Sequence, residues 1–435
     1  MSASLILTAD SGAEVPVADL ALVGKHAQIW ALDGGRRLRA ARVTAVRAVE
    51  PQEAFTVRLA SGRTVDALGG MSFLTLTGWK RLDELAVDRR IAVPRRVPEP
   101  VAAQRMVDAE LILLAHMIGD GSCVRRQPVR YASIDEQNLR AVTAAAAHFG
   151  VTAMRDVYEA ARVTTLRLPA PFRLTHGKRN PIAAWLDGLG LFDKRSYEKF
   201  VPAAVFASPN DQVALFLKHL WSTDGCIKWD AKAGQGRIYY ASTSRQLTDD
   251  VRHLLLRLGI ASRAYQVPQG RYRDIWHLHV SGVSSQRRFL RLVDAHGAKY
   301  FDAREVQHNL EGIVANENVD TVPREVWYTV RQKLTDHKMT HRAFAEAMRT
   351  PFCGSTMWKH APSRSRLHRA AAILDDRSLH DLTKNDLLWD KVVEITAIGQ
   401  REVYEVTVDG ADNVIANGIA VRAVDGSNAA DFNPD

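Results

Sequence analysis

One pattern recurs in this chain and constrains what it can fold into. An apolar stretch of helical length ends in Asp-Gly at residues 109–121 and again at 215–225. Tyr131-Ala-Ser133 through Phe149-Gly150 is echoed by Tyr240-Ala-Ser242 through Leu258-Gly259, an offset of 259 − 150 = 109 residues. Two copies of one mixed helix-and-strand unit are therefore expected side by side. The flanks differ from this middle. Residues 29–32, 42–49, 54–59 and 64–67 read as short strands between Gly-Gly, Pro and Ser-Gly turns, and β-signals return at 392–398, 403–408 and 414–416.

At 435 residues the chain has room for about three domains. The expected organisation is an all-β half over 1–100 and a repeated unit over 105–305, with repeats at 105–200 and 205–305. A basic helical segment follows over 320–376, then a second β half over 385–423 and a loose polar tail over 424–435. The β halves at the two ends read as one domain into which everything between was inserted. The fold class is thus multidomain α+β.

Lys and Arg number 58 against 49 Asp and Glu, a formal charge of +9 that suits a densely anionic partner. Nucleic acid is the first candidate and an anionic membrane surface the second. Cys123, Cys226 and Cys353 form no C-x-x-C pair, and an odd count argues against a disulfide framework. No apolar run is long enough to span a membrane and the first fifteen residues lack a secretory pattern, so a cytoplasmic, nucleoid-associated setting is expected. A helicase activity is not supported, because no G-x-x-x-x-G-K-[ST] phosphate loop occurs.

A helix C-terminus carries the negative end of the dipole and unpartnered carbonyls, a poor place for a lone carboxylate. A single Asp-Gly there would do no more than end a helix and open a turn. Its recurrence suggests a divalent cation, since Mg²⁺ takes carboxylate, carbonyl, water and phosphate oxygens together. Two such helices packed together would set Asp120 and Asp224 across a pseudo-two-fold axis, each holding metal against one strand of a duplex.

The segments Leu111-Ile-Leu-Leu-Ala-His-Met-Ile-Gly-Asp-Gly121 and Phe216-Leu-Lys-His-Leu-Trp-Ser-Thr-Asp-Gly225 resemble the two dodecapeptide helices of LAGLIDADG homing endonucleases. The resemblance implies an αββαββα unit twice over, with four-stranded saddles on the DNA major groove. It implies Asp120 and Asp224 as metal ligands for Mg²⁺, or Mn²⁺ in its place, with Gly121 and Gly225 at the same centre for close backbone approach. Lys199, in Glu198-Lys-Phe-Val-Pro202, matches a lysine that assists at the scissile phosphate, and so joins both aspartates as a catalytic candidate. Arg125, Arg126 and Lys228 are candidate DNA contacts. The implied partner is double-stranded DNA with a long asymmetric site, bound by a monomer. His219 departs from the pattern: the family has a small residue at that helix interface, as Ala115 is here.

The ends resemble the split halves of an intein, the Hint fold, and the whole chain resembles inteins of bacterial replicative helicases with an inserted endonuclease. Ser4-Leu-Ile-Leu-Thr-Ala-Asp-Ser-Gly12 and Val65-Asp-Ala-Leu-Gly-Gly-Met-Ser-Phe-Leu-Thr75 resemble the first two splicing blocks. Val403-Tyr-Glu-Val-Thr-Val-Asp-Gly-Ala-Asp-Asn413 and Asn417-Gly-Ile-Ala-Val-Arg-Ala423 resemble the last two. The splicing residues are missing in register. No nucleophilic first residue precedes Leu5, Leu68 replaces a Thr, Met71 a His, Asp412 a His, Arg422 the penultimate His and Ala423 the terminal Asn. Alanine has no amide with which to attack its own carbonyl, Leu and Met donate no protons, and Glu405 stands where some inteins keep a cysteine. Natural decay fits losses at so many positions better than engineering of one.

Residues 322–370 hold ten Lys or Arg against three Asp or Glu, in short helices broken at Thr350-Pro351 and Ala361-Pro362, a helix-turn-helix-like pattern. Arg364, Arg366, Arg369 and Lys359 are expected to grip phosphates there. The expected function is site-specific, metal-dependent DNA double-strand cleavage from a scaffold that no longer splices. The rival readings are a non-catalytic DNA-binding protein and an intein that splices with unconventional nucleophiles.

Overall fold

The computed structural model describes residues 4–23, 27–156, 162–175, 177–314 and 320–422, so Ala423 and the expected tail lie outside the described residues. The chain forms two compact units. The described residues of one fall at 4–10, 14–98 and 320–422; those of the other at 11–13 and 99–314.

In the first unit both flanks share the same sheets. A six-stranded sheet runs in the order Glu14–Pro16, Leu5–Leu7, Asn413–Ala416, Ile419–Arg422, Ser72–Thr75, Gly78–Arg81. A five-stranded sheet joins Gln28–Leu32, Leu38–Leu59, Leu387–Val408 and Arg90–Pro94, with Thr64–Leu68 added to the second of these. Register is set by alternation: Ile6 faces Ala416, Val57 faces Ile395 and Val421 faces Phe73, and these apolar side chains fill one core. Leu68 and Met71, two positions where the sequence resemblance places splicing residues, are buried in that core.

Two details differ from expectation. Residues 42–49 and 54–59 are not separate strands but parts of Leu38–Leu59, which pairs with the equally long Leu387–Val408. Pro51 suggested a break; it falls instead where the register shifts between Arg401↔Gln52 and Val403↔Val49, an irregularity that accommodates a residue lacking an N–H. The helical segment also continues past 376, through Arg377–Lys384, before the strand begins at Leu387. Its helices Val326–Asp336, His341–Ala347 and Arg364–Ile373 enclose a separate apolar core around Trp327, Phe344 and Leu367.

The second unit holds the repeat. Helix Asp108–Gly119, strands Gly121–Ser122 and Arg130–Ser133, helix Glu136–Ala147, strands Met154–Asp156 and Thr164–Arg167, and helix Pro181–Gly188 follow in sequence. The same succession returns as Asn210–Asp224, Gly225–Asp230, Gln235–Ser242, Arg245–Arg257, Ser262–Val267, Ile275–Val280 and Val283–Leu292, with one further helix, Lys299–Glu311, crossing the boundary expected at 305. Numbered by chain position within its own repeat, each four-stranded sheet has the order 1-2-4-3. Even the caps repeat, 109 residues apart: Asp135 accepts from Gln137 N at 2.8 Å and Ser244 from Leu247 N at 3.1 Å.

The two helices that end in Asp-Gly pack against each other, and both are buried around most of their circumference, which explains runs that are apolar without a polar stripe. Their closest approach is at Gly119, where a Cβ would lie 2.1 Å from Thr223 Oγ1 and 2.4 Å from Thr223 Cβ. Gly119→Ala is expected to push the helices apart and lower stability by about 1–3 kcal/mol, the usual penalty for overpacking; urea unfolding of the two proteins measures it.

Candidate active site

The C-terminal ends of the two packed helices carry Asp120 and Asp224. Each carboxylate reaches solvent while the rest of its surroundings is protein. Burial raises both above their ordinary value, and for Asp120 the nearby Asp224 charge adds to the effect, so that it is pushed up to about 6. Among the described residues neither carboxylate has a hydrogen-bond donor or ion-pair partner. Two adjacent carboxylates without direct partners form a hard oxygen donor set, which fits a divalent cation of the Mg²⁺ class.

Two lysines flank the pair. Lys199 Nζ donates to the carbonyls of Met117 (3.0 Å), Ile118 (2.9 Å), Gly119 (3.2 Å) and Gly121 (2.9 Å), so it caps the end of the first helix. Lys299 Nζ does the same for the second helix, at Trp221 (2.9 Å), Ser222 (3.0 Å) and Thr223 (2.6 Å). Each satisfies carbonyls that a helix end leaves open and places positive charge at the negative dipole end. Burial lowers both ammonium groups, Lys199 to about 8, against the opposing pull of Asp224 and Asp120. Lys299 is the residue that sequence reasoning missed. It lies one hundred positions after Lys199, near the repeat offset, but in Gly297-Ala-Lys299-Tyr-Phe it lacks the following proline that marked its counterpart.

The glycines act locally. A Cβ at Gly121 would sit 2.5 Å from Met117 Cα, and one at Gly225 would sit 2.4 Å from the Trp221 carbonyl oxygen, so the close approach that requires glycine is to the preceding helical turn. The Gly121 carbonyl already accepts from Lys199. His219, at the interface position that Ala115 occupies in the other helix, meets His116: its Nδ1 lies 3.1 Å from His116 Nε2.

The outward faces of the two sheets carry further cations. Arg130 stands directly opposite Arg167 in the first, and Lys228 opposite Arg237 in the second. Beside the latter, Tyr239 stacks on His277 and His279, each at a ring separation of 5.0 Å. Strict alternation along these strands is the signal that would have found Arg130, Arg167, Arg237 and Tyr239. Arg125 is exposed and paired with Asp193 at 3.0 Å, and Arg126 is exposed.

In the helical segment Lys359 and Arg369 are exposed, and Arg366 lies over the Trp327 ring. Arg364 is a correction. It is buried, its guanidinium bound to Asp320, the Leu382 and Leu387 carbonyls and Asn385, and so it joins the segment to its own scaffold instead of facing solvent. Elsewhere in that unit Arg422 pairs with Asp412 and lies over Trp79.

Residues 211–294 match the family described as LAGLIDADG-like domain. Over 428 residues the chain is 38% identical to the replicative DNA helicase DnaB of Synechocystis sp., covering 96% of this chain and 48% of that protein. The chain thus spans about half the length of the relatives it matches. Among solved structures it is similar to a DnaB intein from Synechocystis sp., at 37% identity over 22% of this chain and 67% of that one with a TM-score of 0.21. It is also similar to I-DmoI crystallised with DNA and Mn, at 14% identity over 43% of this chain and 96% of that one with a TM-score of 0.30. Residues 211–294 are thus a LAGLIDADG-like domain, in a chain similar to a DnaB intein and, over nearly its whole length, to part of the DnaB proteins. Its sequence relatives include the DnaB proteins of Synechocystis, Nostoc and Rhodothermus marinus.

The raised Asp120 carboxyl carries a sign. A carboxyl whose folded value exceeds its ordinary 3.8 disfavours folding once it is ionised, and the penalty grows as pH rises from about 4 to about 6 and persists above. Without divalent cations, Asp120→Asn is therefore expected to raise the melting temperature at pH 7.5, with the advantage shrinking below pH 6. Differential scanning calorimetry across that range checks it; an equal or lower melting temperature at pH 7.5 contradicts the assignment.

Proposed function

We propose that the chain is a site-specific homing endonuclease that hydrolyses both strands of a DNA duplex with Mg²⁺ held by Asp120 and Asp224. The single observation that carries this reading is the meeting of two directly unpartnered carboxylates at adjacent helix ends, each end bound by its own lysine. When bound, the cation supplies Lewis-acid activation of water and neutralises charge on the leaving oxygen. The chain's own residues do the rest. Asp120 and Asp224, one from each repeat, address one DNA strand each. Lys199 and Lys299 hold positive charge beside the carboxylates, where a phosphate with developing negative charge would lie.

The outward sheet faces support an anionic partner. Each repeat sets two cations opposite one another across strands, Arg130 with Arg167 and Lys228 with Arg237; Arg167 and Arg237 are each paired with a carboxylate, Asp156 and Asp230, which leaves Arg130 and Lys228 without an ion-pair partner among the described residues. A polyanion lying along the sheets would pair with these two cations, with Tyr239 available for base or sugar contact. Because the repeats differ in sequence, the expected site is long and asymmetric and the active species a monomer. Exposed Lys359 and Arg369 extend the list of phosphate contacts; Arg364 does not.

The proposal includes loss of splicing. Leu68 and Met71 are packed into the β core, Asp412 and Arg422 hold each other, and Ala423 brings no amide for cyclisation. Expressed between two tags, the chain is expected to give only intact precursor by mass spectrometry; joined tags would refute the assignment. For the nuclease, linear duplex carrying the insertion site is expected to be cut on both strands with Mg²⁺. Asp120→Asn or Asp224→Asn should reduce the rate at least about a thousandfold, the scale of losing a principal electrostatic contributor, while DNA binding persists. A wild-type protein that binds the duplex without cutting it would favour the non-catalytic reading.

A further inference from the structure

We propose that His116, His219 and His296 form a second metal site, for one transition-metal cation of the Zn²⁺ class, built into the interface of the two helices and separate from the carboxylate pair. The three imidazoles come from different elements. His116 is on helix Asp108–Gly119, His219 on helix Asn210–Asp224, and His296 on the turn that leads into helix Lys299–Glu311. One ring nitrogen from each lies within 4.8 Å of the other two. His116 Nε2 and His219 Nδ1 are 3.1 Å apart. Two ligands of a tetrahedral zinc, with bonds of about 2.0–2.1 Å, stand about 3.3 Å apart. The rings pack edge to face and tilted, with centroids 5.2 Å apart for His116 and His219 and 4.5 Å for His219 and His296.

The surroundings suit a metal ligand set. His116 Nδ1 meets the buried Tyr131 hydroxyl at 3.0 Å, and His296 Nε2 donates to the Gln137 carbonyl at 3.4 Å; such outer partners fix the tautomer and aim the remaining nitrogen. Burial and the neighbouring imidazoles keep the group neutral, the form that coordinates, with His219 held down at about 3 and Lys218 adding to the effect. The His296 turn is held by Asp135, whose carboxylate accepts from Ala298 N at 2.6 Å while also capping the helix that supplies Gln137. Three neutral nitrogen ligands select zinc, cobalt or nickel over magnesium, just as the two carboxylates select the reverse. The inference stands whether or not the chain cuts DNA.

Binding of Co²⁺ to chelator-treated protein in excess Mg²⁺ tests it. One equivalent is expected to bind with the intense visible absorption of a four-coordinate ion, to be displaced by Zn²⁺, and to be unchanged in an Asp120→Asn, Asp224→Asn double variant. His296→Gln, at the half-buried turn, should weaken binding by about tenfold or more and abolish the rise in melting temperature that Zn²⁺ gives the wild type. His219→Ala should do the same. Failure of the wild type to bind Co²⁺ under Mg²⁺, an absorption of octahedral type, or unaltered affinity in His296→Gln overturns the proposal. Loss of binding in the aspartate double variant would show that the ion had taken the carboxylate pair instead.

Discussion

The structure of the repeated unit depends on bringing together two helix ends that repel. Each end adds a helix dipole, a set of open carbonyls and a carboxylate, all negative, within one cleft. What holds them is apolar packing along the helices. Leu111, Leu114, Phe216, Leu217, Leu220 and Trp221 are all fully buried, and side chains of this size stabilise by about 1.5–3 kcal/mol each when removed from water. Lys199 and Lys299 then answer the repulsion from below by binding the carbonyls, which leaves the carboxylate faces open. Stability is given up locally at a place where a bound cation would restore it, the arrangement expected of a functional centre.

Much of this was legible in the sequence because it is periodic. The doubled Asp-Gly ends located both helices and both aspartates, and the 109-residue echo located the second unit. Features without periodicity were not legible. Lys299 performs the task of Lys199 from the start of a helix with a different sequence, since any backbone that brings an ammonium to the helix end will serve. The His116–His219 contact was not read from the sequence, because two helices packed across a pseudo-axis meet at residues fixed by their rotation, which strings of apolar residues on every face do not specify. Arg364 was misread because a basic residue at the start of a helix looks alike in sequence whether it faces solvent or four acceptors.

In the β unit, two strand segments separated by more than three hundred residues pair, 392–408 on 43–59. Such pairing needs the chain ends to remain close whatever lies between, and it does not need splicing chemistry. Once a splicing residue is replaced, its position is free to take whatever the scaffold favours. Leu68 and Met71 add apolar area to the core, and Asp412 and Arg422 form a pair at the surface whose contribution is small, about 0–1 kcal/mol. These four side chains are thus held by packing or pairing within the scaffold itself.

The interior of the helix pair and its rim follow opposite chemical rules. At the rim the donors are hard oxygens, solvent-accessible and charged; about one helical turn back they are nitrogens, neutral and buried. A helix interface that needed only close packing would use small or aliphatic side chains, as Gly119 and Thr223 do at the rim. Three imidazoles there must instead satisfy six ring nitrogens in a confined space, and those without a protein partner carry a desolvation cost. His116 Nε2 and His219 Nδ1 already meet each other, so a shared cation would replace that contact and bring in a third nitrogen, from His296. It would also fasten the turn bearing His296, three residues before Lys299, so that the lysine capping the second helix is positioned through the same ligand set that ties the two helices together.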